Sequence, residues 1–406
     1  MSETFGRAFP NSPTPLLSYG LPFISSLLKH VDDTFHASKL YVVCSKSLAK
    51  TTSYLDDLKQ QLGDKLVGTR VGMRSHSLWS EILEIVADVK RCEADCIVTL
   101  GAGSLIDAAK VVSYAVANSV STPDELKSLS AGSASKRPNV KLSEIPIISI
   151  PTSLSGGEYS SFAGATNDAD GRKYSFSGPE IKGPSLVILD PELATTTPPS
   201  VWLSTGVRAI DHCVETLCSL QSNEGADEAA RLGLKRLVLG LLRCKENPED
   251  IEGRLECFLG SRDAMAAATS GVPMGASHGI GHQLGPAGVG HGETSCILNP
   301  AVCKYNYVKK ANVTRQDAIT EILWHDTEAS AIFEKKGLKK ESAILGDLMD
   351  AIIRALGLPR TLKEFGIDED KLDGIAEHSL QDRAVKTNPA HLDKEGVLEI
   401  LRMVLQ

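Results

Sequence analysis

The stretch Thr99-Leu100-Gly101-Ala102-Gly103-Ser104-Leu105-Ile106-Asp107-Ala108-Ala109-Lys110 decides how the first half of this 406-residue chain folds. Cys96 to Leu100 is a short β-branched run that reads as a strand, and Ile106 to Ala117 carries the apolar spacing of a helix. The small residues between them make a turn that ends a strand and opens a helix. Free backbone N–H groups and the positive helix end at such a turn favour a pyrophosphate, provided the backbone can be approached closely. The turn is not the six-residue glycine fingerprint. Ala102 stands at its centre and adds only a methyl group, which is expected to narrow the site rather than abolish it.

Working outward, Leu40–Cys44, Leu66–Val71, Ile147–Ile150 and Leu186–Leu189 also read as strands, and Leu78 to Lys90 as a further helix. Strands alternating with helices predict a parallel, helix-covered sheet. From Pro198 onward the pattern changes. Val201 to Leu220, Asp227 to Cys244, Gly253 to Thr269, Ala318 to Lys335, Ala343 to Leu356 and Lys394 to Leu405 are helix candidates with few strand-like runs between them. Asp190-Pro191 reads as a hinge, because the residue before proline is biased away from helix. The expected organisation is an α/β dinucleotide-binding, Rossmann-like domain over 1–190 and an all-helical domain over 191–406. The serine-rich segment Ser128 to Ser135 reads as a solvated loop.

Composition narrows the function. A chain of this length exceeds the usual single core, so two domains are the default. A hydrophobic fraction of 42% with 23% charged residues is ordinary for a globular protein. The net charge of −8 and pI near 5.7 argue against binding a nucleic-acid backbone and favour a small-molecule partner. The N-terminus does not read as a secretory signal, and no apolar run approaches the roughly 18 residues that span a bilayer. Nine cysteines without C-x-x-C pairs fit reduced thiols that serve as packing residues. A cytoplasmic location is expected, with no membrane partner.

A series of motifs follows in order along the chain. The glycine-rich stretch resembles G-G-G-S-x-x-D-x-A-K, with Ala102 for the middle glycine. Ile150-Pro151-Thr152-Ser153-Leu154-Ser155-Gly156-Gly157-Glu158 resembles P-T-T-x-x-G-S-E. Val187-Ile188-Leu189-Asp190-Pro191-Glu192-Leu193 matches I-x-D-P-E-L, and Gly206-Val207-Arg208-Ala209-Ile210-Asp211-His212-Cys213-Val214-Glu215 resembles G-x-D-A-x-x-H-x-x-E. His278-Gly279-Ile280-Gly281-His282-Gln283-Leu284-Gly285, with His291-Gly292, is similar to H-x-x-x-H-x-L-G and P-H-G, and Asp382 with Asn388-Pro389 to a closing D…N-P. These are the landmarks of the iron-containing alcohol dehydrogenases. The resemblance implies their fold, shared with dehydroquinate synthase, with an active site in the cleft between the domains and a homodimeric assembly. It also implies NAD(P)-dependent reduction or oxidation.

The decisive departure is Arg208, at the position where the resemblance puts a metal-binding aspartate. A guanidinium cannot ligate a divalent metal and repels it. The expectation is therefore a metal-independent enzyme similar to the maleylacetate reductases, the branch of the family that works without metal. The spacing of His278 and His291 is one residue shorter than the family pattern, and the loop between them, Pro286-Ala287-Gly288-Val289-Gly290, is small, so the substrate stays open.

The site expected on this basis has two parts. Ser45, Gly101, Ala102, Gly103, Ser104, Asp107, Thr152, Ser153 and Ser155 are the candidate cofactor residues, the hydroxyl-bearing loop at 152–156 being able to bond a nicotinamide or diphosphate. Cys44-Ser45-Lys46 offers no carboxylate to hold a ribose 2′-hydroxyl and supplies one cation, so NADPH is tolerated and favoured over NADH. Arg208, His212, His278, His282 and His291 are the candidate catalytic residues. Arg208 and His212 share one helix face, as do His278 and His282. Arg208 is expected to stand in for the metal by bonding a carboxylate or a developing oxyanion, with His212 beside it and His278 or His282 as general acid. The alternative for Arg208 is a structural pairing with Asp211, Glu215 or Glu158. Three imidazoles could also hold zinc. A metal-dependent alcohol dehydrogenase, and a lyase, dehydratase or isomerase that has lost hydride transfer, remain the competing functions.

Overall fold

The computed structural model describes residues 2–74, 77–133 and 139–406. Two compact units divide between Thr196 and Thr197.

The first unit is built on a seven-stranded sheet with strands β1 (Thr4–Arg7), β2 (Leu16–Tyr19), β3 (Leu40–Cys44), β4 (Leu66–Val71), β5 (Cys96–Gly101), β6 (Ile147–Pro151) and β9 (Leu186–Leu189). A separate hairpin joins β7 (Ala163–Thr166) to β8 (Lys173–Phe176). The helices are α1 (Phe23–Asp33), α2 (Lys46–Thr51), α3 (Tyr54–Leu62), α4 (Trp79–Arg91), α5 (Gly103–Ala117), α6 (Pro123–Ser128) and α7 (Pro191–Ala194). The strand order is β1-β2-β9-β6-β5-β3-β4, parallel throughout except for β1, which pairs antiparallel with β2.

The near-continuous apolar runs of β3 and β5 follow from burial on both faces. Tyr41, Val43 and Ile97 join the core under α4 and α5, while Val42, Val98 and Leu100 join the core under α1 and α3. The chain runs from β3 out to the edge strand β4 and returns on the other side of β3 as β5. Strand order therefore reverses between β3 and β5, the place where open α/β sheets bind ligands beyond their carboxyl ends.

The second unit is helical: α8 (Pro199–Cys218), α9 (Glu224–Glu246), α10 (Ile251–Ala268), α11 (Ala276–Leu284), α12 (His291–Val308), α13 (Val313–Trp324), α14 (Thr327–Lys335), α15 (Leu345–Leu356), α16 (Glu369–Ser379), α17 (Arg383–Lys386) and α18 (Lys394–Met403). No described helix is long and apolar enough to cross a membrane.

Several expectations need correction. The sheet is mixed, because β1 adds at its edge antiparallel to β2. The span Ala318 to Lys335 is two helices, broken where the Asp326 side chain accepts the Glu328 and Ala329 N–H groups and starts α14. Asp190 is pinned: one carboxylate oxygen caps α7 and the other accepts the Phe23 N–H at 2.8 Å. Ser128 ends α6 rather than opening a loop, and positions 134 and 135 of that serine-rich segment lie outside the described residues.

Candidate active site

The turn after β5 is shaped by two close approaches. Gly101 has φ +145°, and a Cβ there would lie 2.8 Å from Ser45 Cβ. A Cβ on Gly103 would lie 2.6 Å from Ser155 Oγ. The three loops that leave β3, β5 and β6 thus meet at one place, with Ser45 N–H donating to Leu100 O and Thr152 N–H to Gly101 O. Ala102 precedes α5, and no side chain caps that helix. The uncapped first-turn N–H groups and positive end of α5 are the feature that favours a dinucleotide diphosphate. Ala102, Gly103 and Ser104 are half-buried, and the Ser104 carbonyl accepts the Ser77 hydroxyl.

Ser153 and Ser155 sit 3.2 Å apart through their hydroxyls, Ser153 and Thr152 being buried and Ser155 half-exposed. Asp107 points elsewhere. Its carboxylate holds Lys110 Nζ at 3.2 Å and accepts the Gly164 N–H. Fully buried Lys110 also donates to the carbonyls of Gly157 (2.6 Å) and Phe162 (2.8 Å), tying α5 to the loop after β6. Nearby Glu158 is buried with Oε2 unpartnered, and burial pushes its carboxyl up to about 7.

In the second unit, α8, α11 and α12 bring together Arg208, Asp211, Glu215, Ser277, His278, Ser295 and Asn299. Arg208 is buried; its Nη1 donates to Ser295 Oγ at 3.0 Å and lies 3.9 Å from Asp211 Oδ2, while its Nε has no acceptor. Asp211 Oδ2 accepts the hydroxyls of Ser277 (2.7 Å) and Ser295 (2.6 Å), and Oδ1 accepts Asn299 Nδ2 (2.6 Å). Glu215 accepts the backbone N–H groups of Gly275 and Ser277 and meets His278 Nδ1 at 2.7 Å. His278 Nε2 and His212 Nδ1 are buried without partners, and the two rings lie 4.6 Å apart.

Burial holds both imidazoles well below the ordinary histidine range, and the Arg208 charge adds to this. Both causes favour the neutral form of each ring. Burial also raises the Asp211 carboxyl and pushes Glu215 up to about 7, although the Gly275 and Ser277 N–H groups oppose the second shift. For Asp211, three neutral donors bond the carboxylate and a guanidinium stands 3.9 Å away, contacts that favour the charged form against burial and the neighbouring Glu215.

His282 is exposed, one turn beyond His278, with Nδ1 2.9 Å from the Asp382 carboxylate that caps α17. His291 is exposed at the start of α12. Asn388 anchors the start of α11 by accepting the Ala276 N–H and exchanges side-chain bonds with Asn306.

Among the described residues, the histidine trio weighed as a zinc site is not the group whose ligand atoms converge. That group is Asp211, Glu215 and His278, within 4.8 Å of one another. Each of its four carboxylate oxygens already accepts a protein hydrogen bond, and a guanidinium stands beside it. The sequence had shown Asp211 and Glu215 within a motif, but Ser277, Ser295 and Asn299 carried no signal, since serine and asparagine are common everywhere.

The family models agree with this architecture. Residues 23–191 match the iron-containing alcohol dehydrogenase model, and residues 202–405 match the C-terminal model of the Fe-containing alcohol dehydrogenase family. The chain belongs to the iron-containing alcohol dehydrogenase family. It is 36% identical to Dehydrogenase FUM7 of Gibberella moniliformis over 98% of each chain. It is 39% identical to Dehydrogenase ALT3 of Alternaria alternata, over 91% of this chain and 99% of that one. Among solved structures, the maleylacetate reductase from Rhizobium sp. superposes with a TM-score of 0.75 at 22% identity, covering 99% of this chain and 98% of that one. This iron-containing alcohol dehydrogenase family member is therefore a dehydrogenase of the NAD(P)-dependent oxidoreductase class.

Proposed function

We propose that the protein is a metal-independent NAD(P)H-dependent reductase of a small unsaturated or carbonyl-bearing acid, resembling maleylacetate reductase. The observation that carries this reading is Arg208: a buried guanidinium, held by Ser295 and with Nε unpartnered, at the position where the family resemblance places a metal-ligating carboxylate. NADPH is the favoured cofactor, because Ser45-Lys46 after β3 presents a cation and no carboxylate.

The cofactor, when bound, supplies hydride. Electron density displaced from the substrate double bond collects on a carbonyl oxygen, and Arg208 provides a fixed positive charge and a free donor to stabilise it. The proton that completes the reduction comes from an imidazole relayed from solvent. His282 suits this step, being exposed and oriented by Asp382. Neutral His278, anchored by Glu215, offers Nε2 to the substrate.

A second reading, a metal-dependent dehydrogenase, is favoured by the convergence of Asp211, Glu215 and His278. One set of measurements separates the two. Purified protein is analysed for iron and zinc, titrated with NADPH and NADH by fluorescence, and assayed with unsaturated and carbonyl-bearing acids before and after chelation. Turnover that survives chelation and falls by about two orders of magnitude or more in Arg208→Ala supports the proposal. Turnover that needs stoichiometric metal defeats it.

A further inference from the structure

The Arg208 guanidinium ends in a two-step hydrogen-bond chain. Its Nη1 donates to Ser295 Oγ at 3.0 Å, and Ser295 Oγ donates to Asp211 Oδ2 at 2.6 Å. The second bond is what makes the first directional. A serine hydroxyl free to rotate can present either its hydrogen or its lone pairs to a neighbour. Here the carboxylate takes the hydrogen, so the lone pairs are left facing the guanidinium. Asp211 cannot turn away, because Ser277 Oγ on α11 and Asn299 Nδ2 on α12 hold its two oxygens at 2.7 Å and 2.6 Å. It lies one turn along α8 from Arg208 and is fully buried.

Charge points the same way. Arginine does not shed its proton in a protein, so a buried guanidinium must be given a compensating charge and acceptors. Asp211, 3.9 Å from Nη1, is the carboxylate nearest to it. Glu215 is occupied by two backbone N–H groups and His278. Packing limits the remaining freedom: a Cβ on Gly281 would lie 3.6 Å from Arg208 Nη1, so α11 passes close beside the guanidinium.

We infer that Ser295 and Asp211 are positioning residues, a hydroxyl-carboxylate relay that fixes the direction in which Arg208 presents its charge to an anionic substrate group. Neither residue touches the substrate. The inference rests on the reading of Arg208 as the anion-binding group, and it assigns to Asp211 a role as permanent countercharge rather than as a metal ligand.

The test is calorimetric titration of the full chain, saturated with NADPH, with maleate as an unsaturated dicarboxylate probe. Ser295→Ala is expected to weaken maleate binding by about tenfold, the scale of one hydrogen bond to a charged group. Ser295→Thr keeps the hydroxyl and is expected to stay within about twofold of the parent. NADPH affinity and the unfolding midpoint should hold in both. Asp211→Asn should weaken maleate as much as Ser295→Ala or more; if it fails to fold, the serine pair decides alone. Arg208→Ala separates the two ideas. Loss of maleate binding in Arg208→Ala together with parental binding in Ser295→Ala overturns the relay and leaves the functional reading standing. Parental maleate binding in Arg208→Ala, or none in the unmodified protein, overturns the reading and the relay together. A loss in Ser295→Ala that Ser295→Thr does not restore, or that NADPH affinity shares, marks a packing defect and also overturns the relay.

Discussion

Ser45 and Gly101 meet so closely at the carboxyl ends of β3 and β5 that a Cβ on Gly101 would lie 2.8 Å from Ser45 Cβ. Gly101 also has φ +145°, a conformation side chains rarely adopt. Gly101→Ala must therefore shift the turn that opens α5. Its expected effect is a loss of about 1–3 kcal/mol of stability and at least a tenfold weaker NADPH dissociation constant, an estimate of about 1.4 kcal/mol. Parental affinity by fluorescence titration would separate this turn from nucleotide binding.

Lys110 is fully buried and shared between Asp107 and the carbonyls of Gly157 and Phe162. Lys110→Met keeps the apolar stem but strands all three acceptors. A cost of about 3 kcal/mol is expected in chemical denaturation, the scale of breaking a buried ion pair. NADPH affinity should fall with it, because the loop after β6 loses its tie to α5.

Glu158 gives a pH signature. Its carboxyl is pushed by burial from 4.5 up to about 7. Below pH 4.5 it is protonated in both folded and unfolded chains and contributes nothing to the pH dependence. Between 4.5 and about 7 only the unfolded chain ionises, so stability falls as pH rises; above that range the loss is constant, on the order of 3 kcal/mol. Glu158→Gln should raise the unfolding free energy at pH 8 by about 1–3 kcal/mol and leave it unchanged at pH 4. Equal effects at both pH values would show that burial does not raise this carboxyl.

Gly279 lies between His278 and His282 on α11, and a Cβ there would come within 2.7 Å of the Val385 backbone nitrogen on α17. Backbone cannot yield as a side chain can. Gly279→Ala should push α17 away, costing about 1–3 kcal/mol, and should separate His282 from Asp382, which caps that helix. The expected functional loss is in turnover rather than in NADPH affinity, read from kcat and from the fluorescence titration.

How much of this was legible depended on the reach of each signal. The strands β3, β5, β6 and β9 showed themselves as apolar runs because strands buried on both faces need no polar alternation. Strands β1 and β2 carry glycine, serine and arginine; β2 forms because β9, about 170 positions away, offers it a partner, and β1 then adds antiparallel to β2. The break at Asp326 was a local capping signal inside an otherwise helical pattern.

By itself, the sequence determined the α/β-then-helical order, the glycine-rich turn opening α5 and the substitution of Arg208 for a carboxylate. Each is written in consecutive residues or in a fixed helical spacing. Only the tertiary structure decided that Ser295 would orient Arg208, that Asp211 would be its countercharge, and that Lys110 would anchor a loop fifty residues away. The reason is physical. A buried charge is stabilised by whichever donors and acceptors packing brings within reach; for Arg208 the acceptor Ser295 comes from α12, and the donors that hold Asp211 come from α11 and α12, a meeting no local pattern records.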